Sequence, residues 1–289
     1  MTNKIYILLP IYNRKDITIK FVSFLKEQDY KNYKLILIDD GSVDGTADAV
    51  CIQLPKTTVI TGKGNWWWAG SLEQGYKWLK KEQLTDSDIV LIINDDTEIS
   101  NDFISKGISI LNKNKKTLLL ATAYDLKTGT LHDCGVLYDF NRNIRTIKNK
   151  GIQPNCLTTR GLFLTAKDFI DLGGFYPVLL PHYLSDYEFS IRAFRRGYNL
   201  VCSDEIQLKV DTLTSGIRNV DFGLLKLNQF LKLYFSKSYL SNPIYSINFY
   251  LIAFPFPYNI KHAFKVVITF FKRLRVVVQN SIIIKIDKI

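Results

Sequence analysis

Short apolar runs that stop abruptly on polar residues, each followed by a segment with apolar residues at helical spacing, govern the first hundred or so residues. KIYILLPIYN leads into ITIKFVSFLKEQ, KLILIDDGS into DGTADAVCIQL, and TTVITG into NWWWAGSLEQGYKWLKKEQ, while DIVLIINDD is a fourth apolar run. Such runs read as strands buried on both faces, and their alternation with helical segments implies a mostly parallel sheet with crossover helices. Two runs end on carboxylates: Asp39 and Asp40, with Asp44 close behind, and Asp95 with Asp96. An open α/β sheet places its ligands at the carboxyl ends of its strands. Carboxylates massed there repel one another unless a cation or a hydrogen-bonding ligand is shared between them. Asp, Ser and Gly also cap helices and form turns, so one cluster alone divides between the two readings; two in this order favour a ligand site.

From about residue 117 the pattern changes. TLLLATAYD, GTLHDCGVLYD and LTTRGLFLTAK read as shorter strands with turns, and the Gly-Gly of FIDLGGFYP as a helix end. DYEFSIRAFRRGY is an amphipathic helix with Phe189, Ile191 and Phe194 on its apolar side, Arg192, Arg195 and Arg196 on its polar side, and Gly197 ending it. Neither repeats nor a low-complexity linker interrupt the chain. The expectation is one domain over residues 1–217 and a helical C-terminal extension over 218–289.

Charge sharpens that boundary. The net +11 is unevenly spread: from Arg218 onward there are 11 Lys/Arg against Asp221 and Asp287, which leaves +2 for the first 217 residues. The extension mixes these cations with aromatic and aliphatic residues, as in HAFKVVITFFKRLRVVV, and no run reaches the length of a spanning helix. Two readings stay open for it: a surface that lies on an anionic membrane, or helices packed on the first domain with Lys on their wet face. Cys51, Cys134, Cys156 and Cys202 have no CxxC spacing, which points to reduced thiols in a cytosolic protein. The opening MTNKIYILLPIYNRKD reads as a first strand and not as a signal peptide.

LPIYNR at 9–14, IDDGSVDGT at 38–46, NDDTEI at 94–99, RGLFLTAKDFIDLGGF at 160–175 and SDYEFSIRAFRRGY at 185–198, in this order, resemble the family 2 glycosyltransferases. This is the large inverting group with the nucleotide-binding, Rossmann-like GT-A fold. GNWWWAGS at 64–71 looks like the bacterial branch that builds O-antigen, capsule and related surface polysaccharides. The resemblance implies that Pro10, Tyr12, Asn13 and Arg14, with Asp40, form the donor nucleoside pocket, with Arg14 also suited to a diphosphate.

It further implies that Asp96 holds a divalent cation on the donor diphosphate, with Asp95 beside it; oxygen ligands suit Mn²⁺ or Mg²⁺. Asn94 stands where the family's motif has its first acid. Asp186 matches the catalytic base, which takes the proton of an acceptor hydroxyl. Ser185 replaces a second acid usual before it, and Glu188 is the competitor. Leu72-Glu73 stand where relatives carry Arg-Asn, and Trp66, Trp67 and Trp68 are candidates for a sugar or acceptor pocket. Asp211, in VDTLTSG, is the nearest substitute for a late metal-binding His. The processive QxxRW signature is missing, which favours transfer of one sugar per encounter.

The expected activity is therefore metal-dependent transfer of a sugar from a nucleoside diphosphate to a hydroxyl of a growing, lipid-linked surface glycan. The expected location is the cytoplasm or the inner face of the cell membrane. A sugar-nucleotide pyrophosphorylase would open with a Gly-rich basic loop after the first strand, where this chain has PIYNR. A nucleic-acid-binding protein with a basic tail would carry an RNA-binding signature, and TGKGN lacks Walker spacing, so no nucleic-acid partner is expected.

Overall fold

The computed structural model describes residues 3–147, 153–211 and 225–286. The first apolar run is β1 (Ile5–Ile11), buried along its whole length, followed by α1 (Lys15–Glu27), β2 (Tyr33–Asp39), α2 (Thr46–Gln53) and β3 (Thr58–Thr61). Next come α3 (Trp67–Leu79), β4 (Ile89–Ile92), β5 (Thr97–Ile99), α4 (Phe103–Asn112) and β6 (Thr117–Asp125). The strands run in the order β3-β2-β1-β4-β10-β6-β11-β5, with β10 at Leu162–Thr165 and β11 at Asn199–Val210. β7 (Leu131–Asp133) joins the sheet on β6.

The parallel expectation holds for β3, β2, β1 and β4. Beyond β4 the sheet is mixed: β10 runs antiparallel to β4 and β6, and β5 antiparallel to β11. The alternation of helix and strand breaks down at this point in the chain, so crossover connections give way to hairpin and edge pairings.

The sheet's period of two divides the core. Ile5, Ile7 and Leu9 face the layer of α1, α2 and α4, while Tyr6 and Leu8 face α3, α5 (Ala166–Leu172) and α6 (Ser185–Arg195). GTLHDCGVLYD makes two strands, because β7 ends before Gly135, whose φ of +83° turns the chain into β8 (Val136–Asp139). β8 pairs with β9 (Ile144–Ile147) as a separate hairpin. In α6, Phe189 and Ile191 are buried as expected, but Phe194 is exposed and Arg192 turns inward onto Glu188 at 2.8 Å.

The C-terminal segment packs on this body. α8 (Pro243–Ala253) places Phe249, with Phe254 just beyond its end, against Tyr138 and Ile191. Burying each of these rings contributes about 2 to 3 kcal/mol. Arg195 donates to the carbonyls of Ile252 and Ala253. α7 (Leu227–Tyr234) meets the long α9 (Tyr258–Ile286) through Phe230, Tyr234 and Val277. The expected domain boundary at 217/218 lies outside the described residues.

Candidate active site

β1, β2 and β4 end side by side, so the loops after them meet. Three hydrogen bonds tie the first two together: Asn13 N–H to Ser42 Oγ, Val43 N–H to Asn13 Oδ1, and Lys15 N–H to Asp44 Oδ2. Asn13, an exposed residue at φ 50°, thus fixes the turn rather than lining a cavity. Gly41 at φ +84° lets the acidic loop pass the next one; a Cβ there would stand 2.9 Å from Gly64 N.

Asp40 organises that next loop. Its carboxylate accepts four backbone N–H groups, those of Gly64, Asn65, Trp66 and Trp67, at 2.8 to 3.1 Å. Together they cap the start of α3 through a side chain distant in sequence. Trp67 consequently sits at φ 59°, a strained value for a bulky residue.

A cavity of about 280 Å³ opens here, walled by Pro10, Tyr12, Arg14, Asp40, Trp67 and Trp68, with Ser71 and His182 closing it. Most of the residues expected to hold a nucleoside line this space. Trp66 instead packs, half-buried, against the core. Glu73, in the position of the missing Arg-Asn pair, accepts the backbone N–H of Phe175.

Arg14 spans the second acidic cluster. Its Nη1 is 3.1 Å from Asp95 and its Nη2 3.4 Å from Asp96, and Thr18 Oγ1 donates to Asp95 at 2.8 Å. Burial pushes the Asp95 carboxyl up to about 6, against the opposing pull of Arg14. One oxygen each of Asn94 and Asp96 is buried without a partner. Orphaned hard oxygens at a strand end fit a divalent cation completed by diphosphate and water. Among the described residues no cluster of three or more His, Cys, Asp or Glu could hold a metal by itself.

Asp211 directly follows Val210, which pairs with Thr97 next to Asp96. It is 3.6 Å from Lys127.

Trp68 also lines a second cavity, about 360 Å³, together with Asn94, His132, Asp133, Thr158, Arg160 and Asp186 among others. Asp186 enters it from the first turn of α6, after Leu184 at φ 68°. Burial lifts its carboxyl to about 6, opposed by the Tyr187 N–H and helped by the nearby charge of Asp133. Glu188 is fully engaged by Arg192 Nε and Nη2 at 2.8 and 3.1 Å, so of the two competitors only Asp186 faces open space. Trp68 borders both cavities and is held by Nε1–H to Thr159 Oγ1 at 3.2 Å.

His132, Asp133, Arg160 and His182 were not singled out from the sequence. Arg160 opens the RGLFLTAK piece and its Nε is buried without a partner, while its Nη1 is 3.2 Å from His132. Burial and then Arg160 push His132 below its ordinary pKa. A larger cavity, about 760 Å³, opens elsewhere, beside β5 and β11. Its wall carries Glu98, Asp125, Asp204 and Glu205 against Lys106 and Lys209, a balance that disfavours phosphate.

The same architecture occurs in solved structures. It matches GalNAc-T7 bound to UDP, GalNAc and Mn²⁺ with a TM-score of 0.60 and 12% identity, over 88% of this chain and 52% of that one. Staphylococcus aureus TarS gives 0.56 and 14%, over 86% and 43%. The mannosyltransferase PcManGT from Pyrobaculum calidifontis, bound to GDP-Man and Mn²⁺, gives 0.58 and 14%, over 98% and 87%.

At such identities these likenesses establish the GT-A fold alone. By sequence the chain is 30% identical over 96 residues to glycosyltransferase GlyG of Streptococcus pneumoniae serotype 4, 32% of each chain, so it spans about a third of that relative's length. Residues 6–164, more than half of the chain and including both acidic strand ends, match the model of glycosyl transferase family 2, and the chain belongs to that family.

Proposed function

We propose that the protein is an inverting glycosyltransferase, assisted by a divalent cation, that moves a sugar from a nucleoside diphosphate to a hydroxyl of a growing, lipid-linked surface glycan at the inner face of the membrane. One observation supports this above all: Trp68 borders both the cavity that Arg14 lines and the cavity that Asn94 and Asp186 line, and Arg14 reaches Asp95 and Asp96 at 3.1 and 3.4 Å. A donor in the first cavity would point its reacting sugar past Trp68 toward Asp186. In this reading residues 1–217 carry the chemistry and 218–289 form an extension.

Each residue has a distinct task. Pro10, Tyr12 and Trp67 enclose the nucleoside, and Asp40 holds the loop that carries Trp67 and Trp68. Arg14 meets diphosphate charge with a planar cation. Asp96 and Asn94 would hold Mn²⁺ or Mg²⁺, with Asp95 beside them; when bound, the cation offsets charge on the departing diphosphate. GalNAc-T7 and PcManGT, both crystallised with Mn²⁺, support this assignment. Asp186 accepts the proton of the acceptor hydroxyl as it attacks the anomeric carbon from the face opposite the diphosphate. No carboxylate nucleophile is needed.

The deciding experiment screens UDP-, dTDP- and GDP-sugars for protection against thermal unfolding with and without MnCl₂, then assays the protecting donor for transfer to isolated lipid-linked glycan. A donor that protects, with product forming only when cation is present, is the expected result. Protection by no nucleotide sugar, or full turnover in EDTA, would overturn the proposal.

A further inference from the structure

Helix α9 is built with three different sides. At about 100° per residue, His262, Phe270, Leu274 and Val277 fall on one side and face the body: His262 bonds the Phe140 carbonyl, and the other three pack with α7. A second side, turned about 115° from the first, carries Ile260, Phe264, Val267, Ile268, Phe271 and Val278, all exposed, Phe264 by 66% and Phe271 by 60%. They form one apolar stripe about 28 Å long. Lys265, Lys272 and Arg275 run along one edge of it, exposed as well, while Lys261 is held on Asn141. Phe256, just before the helix, is 81% exposed.

So long an apolar stripe is unusual on a surface facing only water. Its chemistry selects the occupant. α9 contains no Asp or Glu, so a second copy of the same face would bring cation against cation with nothing to answer it. An anionic bilayer answers both features: its headgroups receive the Lys and Arg, and its acyl boundary receives the stripe. None of the described helices is long and apolar enough to cross a membrane. We infer that the outward face of α9 docks this protein flat on an anionic lipid surface. The two readings of the C-terminal segment thus belong to different sides of one helix, the inner side packed and the outer side lipid-facing.

The test is co-sedimentation of the full-length protein with vesicles of phosphatidylcholine alone and of phosphatidylcholine mixed with phosphatidylglycerol. Binding is expected to the mixed vesicles only, and to weaken in high salt. F264E/F271E is expected to abolish it with an unchanged melting temperature, since both rings are exposed. K265Q/K272Q is expected to weaken it roughly fivefold per charge removed. Transfer to a soluble acceptor should survive in both variants, which separates this inference from the transfer chemistry. Three results would overturn it: no binding of the wild type to mixed vesicles, equal binding to neutral ones, or undiminished binding of F264E/F271E. A dimer in sedimentation velocity that F264E/F271E dissociates would hand the face to a second copy instead.

Discussion

Arg14 Nη1 lies 3.1 Å from Asp95 Oδ1, so the cation placed to meet a donor diphosphate is the same one that holds the strand-end acid. Without a ligand, Arg14 supplies the charge balance; with a ligand, phosphate competes for it. Arg14→Ala should lower unliganded stability by about 1 to 2 kcal/mol, discounted because the Arg side chain is one-third exposed, and should raise the KM for donor. Arg14→Lys should recover stability better than KM, because an ammonium lacks the fork that bridges two acceptors. Thermal unfolding and donor titrations check both.

Divalent cation should stabilise the protein, and more at pH 7 than at pH 5. Asp95 holds a proton up to about pH 6, so cation and proton compete for the same cluster at the lower pH. At a hundredfold excess over its dissociation constant, Mn²⁺ with nucleoside diphosphate would add about 2.7 kcal/mol. Melting temperatures with and without MnCl₂ plus UDP or GDP at the two pH values measure the difference. An equal shift at both would remove Asp95 from the cation site.

Asp186→Asn should lower kcat by roughly two to four orders of magnitude while leaving the donor dissociation constant nearly unchanged. Glu188→Gln should behave differently, destabilising the fold by loosening the Arg192 pair rather than removing a base. Single-turnover kinetics beside calorimetric donor binding separate the two. In the wild type, kcat should rise with pH through about 6 and fall roughly tenfold between pH 7 and pH 5, because a base whose pKa burial has raised must lose its proton to act.

Asp40→Asn should cost about 2 to 4 kcal/mol and abolish donor protection. Two of its four N–H donors would then face an amide NH₂ instead of an oxygen. Trp68→Phe should keep the ring but lose the bond to Thr159, raising KM for donor and acceptor together because Trp68 borders both cavities. Steady-state kinetics with each substrate varied in turn would show it. A change in one KM alone would confine Trp68 to one cavity.

Much of the fold was legible in the residues. Consecutive Ile and Leu in KIYILLPI and DIVLII must be buried on both sides, and a sheet covered on both faces does that, so β1 and β4 and the carboxylates ending the runs follow from local pattern. Asp186 and Arg14 came from an ordered set of motifs, and the structure brings them to two adjoining cavities. What local pattern could not supply were facts about distance. Asp40 reads as an acid of the nucleoside pocket, which it does line, yet its carboxylate also accepts four N–H groups more than twenty residues away. Glu188 and Asp186 are alike in sequence, two positions apart on one helix; that spacing turns them roughly 200° from each other, and only packing decided which met Arg192 and which met open space. His132 and Arg160 sit in segments that read as ordinary strand, and they became site residues when β10 and β7 were laid one after the other along the same edge of β6. Sequence determines which residues must leave water and where charge accumulates, because those depend on each residue's own chemistry. Which carboxylate stays available, and what stands across from it, depends on long-range contacts that no local pattern encodes.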